Sequence, residues 1–230
     1  GCNNLGGRAD AEASRRVVDS AIDHGITLFD TADVYGNQAG SETLLGAILG
    51  ARRKDIVLAT KFAMPMDKSG RLAGGSRRYV MEAVEASLRR LKTDWIDLYQ
   101  LHRVDPMTPI EETLRALDDL VRQGKVRYIG CSNLPAWRVV EAQWSARAGG
   151  LESFVSVQDH YNLLARGIEA ELVPAVQAYG LGILPYYPLA NGLLTGKYRR
   201  GADPQPGTRI TLRSDLKERL LSDETLTVVE

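Results

Sequence analysis

IDLYQLHRVDPMTPIEETLRALDDLVRQGKVRYIGCSN, residues 96–133, holds a complete strand–helix–strand unit. IDLYQLH (96–102) is nearly continuous in apolar residues, as expected of a strand covered on both faces. TPIEETLRALDDLVRQG (108–124) follows with helical spacing. Thr108 stands three residues before Glu111 and Pro109 lies just inside, a capping-box arrangement, and Gly124 closes the segment. VRYIG (126–130) is a second β-rich run. Strand, helix and strand at this separation make a parallel pair joined by a crossover.

The same alternation runs outward in both directions. ITLF (26–29), IVLAT (56–60), FVSVQ (154–158) and GILPYY (182–187) read as further strands, giving six clear ones with the two above. AEASRRVVDSAIDHG (11–25) places Val17, Val18, Ala21 and Ile22 on one helical stripe, with Gly25 as its stop. SRRYVMEAVEASLRRL (76–91) opens on Ser76 as a cap and carries Val80, Val84, Leu88 and Leu91 on one side. LSDETLTVVE (221–230) reads as a helix beginning at Ser222 or Asp223, while 62–75 and 190–221 read as long loops.

Repeated parallel units fit either a doubly wound sheet or a (β/α)8 barrel. No G-x-G-x-x-G follows an early strand, so the dinucleotide fingerprint of the doubly wound fold is missing. Asp30, Lys61, His102, Ser132 with Asn133, and Gln158 all stand at or just past strand C-termini, which in a barrel converge on one mouth. The expectation is a single α/β TIM-barrel domain over 1–230, with the first strand cut short at Gly1 and the last strand–helix unit not covered.

Composition narrows the function classes. The chain has 230 residues, 29 basic and 29 acidic, a balance that gives no nucleic-acid-binding surface. No apolar run approaches the ~20 residues of a membrane span, and no signal peptide is visible. Cys2 and Cys131 form neither a metal-ligand spacing nor a disulfide framework, which points to a reducing, cytoplasmic setting and no metal.

The rim residues each have a plain reading: Asp30 as a strand end, Tyr35 as loop packing, Lys61 as a solvated terminus, His102 as a core histidine. Together they have a specific chemistry. A tyrosine titrates near pH ~10, and an adjacent ammonium favours its phenolate. A carboxylate beside the ammonium fixes it in place, and a histidine can donate to a carbonyl oxygen. The set suits proton delivery to a carbonyl, with the hydride supplied by a redox cofactor.

FDTADVYG…SE (29–42), LATK (58–61), DLYQLH (97–102), GKVRYIGCSN (124–133), VQDHYN (157–162) and YYPLANGLLTGKY (186–198) resemble, in order, motifs of the aldo-keto reductase superfamily, which includes potassium-channel β subunits. The resemblance implies that Asp30, Tyr35, Lys61 and His102 form a catalytic tetrad, with Tyr35 as general acid tuned by Lys61. It implies an NADP(H) cofactor in the barrel mouth. Ser132, Asn133 and Gln158 would hold the carboxamide, and Tyr186 would support the ring. Tyr187, Pro188, Leu189, Ala190, Asn191 and Gly192, with Lys197 and Arg209, would surround the pyrophosphate, Gly1, Cys2 and Asn3 would touch the ribose, and Asp30 would also belong to the cofactor site. Tyr187 stands where many members carry serine, and His160 where many carry glutamate or glutamine.

The implied activity is reduction of aldehydes or ketones to alcohols, with a small carbonyl compound as partner and neither nucleic acid nor membrane. The oligomeric state is not legible, and a homo-oligomer is compatible with the sequence. One alternative is a regulatory NADP(H)-binding protein like the channel β subunits. Another is an aldolase with Lys61 as Schiff-base nucleophile, which the neighbouring Asp30 disfavours by keeping the lysine protonated. Met64, Phe62 and Arg103 are candidate substrate-pocket residues, and Arg103 would favour an anionic substrate.

Overall fold

The structure is a computed structural model that describes residues 1–211 and 220–229. Six strands, β1 (Leu28–Asp30), β2 (Val57–Phe62), β3 (Ile96–Leu101), β4 (Val126–Ser132), β5 (Ser156–His160) and β6 (Gly182–Tyr186), form one sheet in the order β1-β2-β3-β4-β5-β6. The pairs from β1 to β5 are parallel. Helices α1 (Ala11–Asp23), α2 (Gly40–Leu49), α3 (Arg77–Leu91), α4 (Ile110–Arg122), α5 (Ala136–Gly149) and α6 (Leu172–Tyr179) alternate with them. A doubly wound sheet reverses its strand order at a switch point. The order here never reverses, so the fold is the α/β arrangement of six successive strand positions of a (β/α)8 barrel.

Two compact units emerge from the packing: Gly1–Gln158 with Ala175–Ile183, and Asp159–Pro174 with Leu184–Glu230. In the first, all six residues of β3 and five of the six in β2 are buried, as the near-continuous apolar runs require. α4 buries Leu114, Leu117 and Leu120, and α3 buries Val80, Val84, Leu88 and Leu91 on one stripe. Fully burying such a side chain contributes about 1.5–3 kcal/mol, so these two helices anchor the layer outside the sheet. The second unit has its own small core of Ala190, Leu193, Tyr198, Ile210 and Leu226. Its helix over Asp223–Val229 starts where Ser222 Oγ accepts from Thr225 N at 3.2 Å.

Most expected helix signals act as read. Ser76 caps α3, accepting from Tyr79 N at 3.4 Å, and Gly25 and Gly124 follow α1 and α4 at φ +77° and +73°. Two expectations are corrected. Thr108 does not cap α4: its hydroxyl donates to Asp105 Oδ2 at 2.7 Å, and Pro109 takes the cap position without a side-chain bond. Val17 lies off the buried stripe and is 59% exposed, because its neighbour Val18 takes the inward direction and successive helical residues point about 100° apart. Residues 190–211 contain one 3₁₀ segment, Ala190–Thr195; the part of the expected loop at 212–219 lies outside the described residues. No helix among the described residues is long and apolar enough to cross a membrane.

Candidate active site

β1 ends on Asp30, β2 carries Lys61 next to its last residue, and His102 follows β3 directly. The register sets Asp30 against Ala59 and Lys61 against Gln100, while β4 and β5 align Ser132 with Gln158. The Lys61 side chain is fully buried. Its Nζ donates to Asp30 Oδ1 at 2.8 Å, Asp30 Oδ2 at 2.9 Å and the Thr31 carbonyl at 2.8 Å. Three acceptors meet the three donors of an ammonium. Burial pushes the Lys61 pKa down, and Asp30 opposes that shift. Asp30 also accepts from Gln100 Nε2 at 3.2 Å and Gln158 Nε2 at 3.0 Å, so side chains of β2, β3 and β5 converge on one carboxylate.

Tyr35 sits in the loop between β1 and α2. The turn is closed by Tyr35 N donating to Ala32 O at 3.1 Å and Ser41 N donating to Tyr35 O at 3.1 Å. Gly36 is required next to it. At φ +72° a Cβ would stand 2.3 Å from Leu5 O, so only glycine lets the two backbones meet. Thr31 and Ser41 share a 2.8 Å hydroxyl bond, and Ser41 Oγ donates to Cys2 O at 2.7 Å, which ties this loop to the start of the chain.

The Tyr35 ring meets His102 edge-on at 5.7 Å between centroids, and Lys61 Nζ stands 4.9 Å from the Tyr35 centroid. His102 N donates to Phe62 O at 3.0 Å. Burial, and then the charge of Lys61, pushes the His102 imidazole down to about 4, which makes it neutral near pH 7. The first unit therefore brings all four expected residues together. A phenol and a neutral imidazole side by side can donate to an oxygen that gains negative charge, with the ammonium's fixed charge beside the phenol.

Two residues at this site escaped the sequence reading. Gln100 stood inside an apolar run, and only the spacing to His102, two residues on and on the same strand face, could have singled it out. Asp33 is 1% exposed. Burial, reinforced by nearby Glu42, pushes its carboxyl up to about 8. Glu42 is itself fully buried and accepts from Thr60 Oγ1 at 2.5 Å and Arg90 Nε at 2.7 Å.

Of the expected cofactor residues in this unit, Ser132 is buried, and Asn133, at φ +57°, donates through Nδ2 to Ser132 Oγ at 2.9 Å and His102 O at 3.0 Å. Asn133 N donates to Gln158 O at 3.1 Å, so the hydroxyl-bearing and the two amide-bearing positions are linked. Cys2 is buried, its N–H donating to Asp30 O at 2.7 Å, whereas Asn3 is exposed in the following turn. Burial pushes the Cys2 thiol up to about 11. A pocket of about 440 Å³ opens among Met64, His102, Arg103, Val104 and Asn133. Phe62 does not line it: the ring is fully buried and stacked on Tyr99 at 4.7 Å.

In the second unit, His160 stacks on Tyr186 at 5.4 Å with 5° between planes, and Tyr187 meets both rings edge-on. Asn162 Nδ2 donates to Tyr187 O at 2.9 Å. Tyr187, Ala190, Asn191 and Gly192 have φ of +52°, +47°, +58° and +95°, a left-handed series that starts at the end of β6. Pro188 and Leu189 between them are exposed. A Cβ on Gly192 would stand 3.0 Å from Lys197 Nζ, and the Arg209 guanidinium lies 5.1 Å from the Tyr187 centroid. Arg209 Nε is buried without a hydrogen-bond partner among the described residues.

Comparison with known proteins agrees with this architecture. The Aldo/keto reductase family profile matches residues 1–229. The chain is 40% identical over 229 residues to the "Uncharacterized oxidoreductase YrpG" of Bacillus subtilis (strain 168), covering 95% of this chain and 69% of that protein. It is 37% identical over 231 residues to a "Probable voltage-gated potassium channel subunit beta" of Arabidopsis thaliana, covering 96% and 69%. It is 37% identical over 203 residues to the "Versiconal hemiacetal acetate reductase" of Aspergillus parasiticus, covering 80% and 59%. A six-stranded sheet in barrel order and a family match along almost its whole length lead to one conclusion: the chain belongs to the aldo/keto reductase family of oxidoreductases.

Proposed function

We propose that the protein reduces aldehydes or ketones to alcohols with NADPH. The observation that carries this reading is the buried Lys61–Asp30 pair, with the ammonium 4.9 Å from the Tyr35 ring and His102 at that ring's edge. When bound, NADPH supplies a hydride equivalent. Tyr35 gives its proton to the carbonyl oxygen as negative charge develops there. The Lys61 ammonium favours the phenolate left behind, and Asp30, braced by Gln100 and Gln158, holds that ammonium in place. The neutral imidazole of His102 keeps one N–H to donate to the same oxygen and so orients the carbonyl.

The residues present suit the cofactor. Ser132, Asn133 and Gln158 offer a hydroxyl and two amides to a carboxamide, and Cys2, Asn3 and Asp30 complete the set in the first unit. In the second unit Tyr186 offers an aromatic face. The left-handed run through Tyr187 and Ala190–Gly192 makes a tight turn in which Ala190 N donates to Tyr187 O and Gly192 N to Leu189 O, both at 2.8 Å, and Lys197 and Arg209 form no ion pair among the described residues. Two cations beside such a turn suit phosphate oxygens. The preference for NADP(H) over NAD(H) rests on the family resemblance.

The test is to follow absorbance at 340 nm with NADPH or NADH and a panel of small aldehydes, alongside cofactor titration by intrinsic fluorescence. Aldehyde-dependent oxidation of NADPH is expected. Binding without turnover would instead support the alternative of a regulatory NADP(H)-binding protein. Absence of binding would overturn the cofactor assignment.

A further inference from the structure

The pocket beside His102 contains one charged side chain that the proton-delivery scheme leaves idle. Arg103 follows His102, is exposed, and makes one hydrogen bond among the described residues, a weak one to Met64 Sδ at 3.9 Å. Several other arginines of the first unit are paired, among them Arg53 with Asp97 at 2.8 Å, Arg90 with Glu42 at 2.6 Å and Arg77 with Asp119 at 2.5 Å, and none of these lines the pocket. Arg103 has no carboxylate within 4.0 Å among the described residues. The acid closest in sequence, Asp105, is committed elsewhere. It accepts from Gly75 N at 2.7 Å, Met107 N at 2.9 Å and Thr108 Oγ1 at 2.7 Å, clasping the loop after β2 to the loop after β3. Ala63, held at φ +86°, carries the chain from β2 into Met64, whose thioether lies against the guanidinium. The pocket walls are therefore Met64 and Val104, with the carbonyl-orienting His102, Asn133 and a single cation.

We propose that Arg103 is a specificity-determining residue that selects carbonyl substrates bearing a carboxylate. This inference rests on the reductase reading above and names the substrate class it takes. A guanidinium fork matches the two oxygens of a carboxylate in one plane. A phosphate dianion would call for a second cation, and the pocket has one. His102 and Arg103 are consecutive, with Cα atoms about 3.8 Å apart, so the carbonyl and the carboxylate belong on one small molecule with a short apolar spacer between them. Met64 and Val104 would cover that spacer.

The experiment compares 3-formylbenzoate with its methyl ester, which share ring and aldehyde and differ in charge. For the protein as it stands, kcat/KM for the acid should exceed that for the ester by at least about tenfold, the effect of a charge-assisted bond in a partly screened site. In Arg103→Gln the ratio should fall to about one, with Arg103→Lys in between, and added salt should lower the ratio in the unsubstituted protein. Calorimetric titration with 3-(hydroxymethyl)benzoate, without cofactor, gives a readout independent of turnover and should show binding that Arg103→Gln abolishes. Equal kcat/KM for acid and ester, or a ratio that Arg103→Gln leaves intact, overturns the proposal while ester turnover upholds the reductase reading. Carboxylate binding that depends on Arg103, without reduction of either aldehyde, overturns the reductase reading and upholds the anion site.

Discussion

The two ends of the same parallel sheet each bury an ion pair, and they use it differently. At the N-terminal ends, Asp97 accepts from Leu58 N at 3.0 Å and Trp95 Nε1 at 3.1 Å, and pairs with Arg53 at 2.8 Å and Arg127 at 3.5 Å. Both guanidinium groups lie over the Trp95 ring, at 4.5 and 5.0 Å. That end is a plug: carboxylate, cations and aromatic face are consumed by one another. At the C-terminal ends, the Lys61–Asp30 pair is as well satisfied, but it is surrounded by groups with capacity to spare. His102 Nδ1 is buried without a partner, and Arg103 lacks a carboxylate among the described residues. Desolvating an ion pair is costly in either place. At one end the return is stability, and at the other it is a fixed charge beside a phenol. In barrels generally the N-terminal face serves stability and the C-terminal face chemistry.

The comparison can be broken most severely at the plug. Asp97→Ala leaves two arginines without their partner and should lower unfolding free energy by about 3–5 kcal/mol, measured by urea denaturation, while the pH dependence of turnover stays as it was. A loss below about 1 kcal/mol would mean that the plug is decorative. Next in size, Tyr35→Phe should reduce kcat at least ~100-fold, equivalent to about 2.7 kcal/mol in the barrier, with little change in melting temperature or cofactor affinity. Turnover close to normal would remove Tyr35 from its role.

Asp33 sharpens the contrast through pH. Its folded pKa is raised from 3.8 to about 8, so between those values the native state holds a proton that the unfolded chain releases. The stability linked to this group is fully present below the unfolded pKa and is lost as pH rises through the folded one, at up to about 1.4 kcal/mol per pH unit. Asp33→Asn should flatten that decline in denaturation midpoints measured across the range. An unaltered slope would show that the buried acid lies elsewhere. The smallest effect expected is at Thr108. Thr108→Ala removes one hydrogen bond to Asp105 and should cost about 0.5–1.5 kcal/mol with no loss of helicity by circular dichroism. A drop in helix content would restore Thr108 as the cap of α4.

Much of this was legible in the sequence because the signals were local. Continuous apolar runs marked β2 and β3, Gly25 and Gly124 marked helix ends, and Asp30, Lys61 and His102 announced themselves by standing where apolar runs stop. What escaped was decided by tertiary contact. In a strand buried on both faces, no periodicity shows that Gln100 turns toward Asp30 whereas Tyr99 turns away to stack on Phe62. Thr108 had two acceptable partners, and the choice fell to Asp105 because that carboxylate was already fixed by Gly75 and Met107. The raised pKa of Asp33 comes first from burial and then from Glu42, nine residues on and brought close by the fold.

The most direct test of the central claim, that the Lys61–Asp30 pair exists to tune Tyr35, is the pH profile of kcat/KM for aldehyde reduction in the unsubstituted protein and in Lys61→Met. Removing the ammonium disfavours the phenolate, so Tyr35 should keep its proton to higher pH. The alkaline limb should move upward while turnover falls. A limb at the same pH in both proteins would contradict the account and leave the pair at this end of the sheet as a second structural plug.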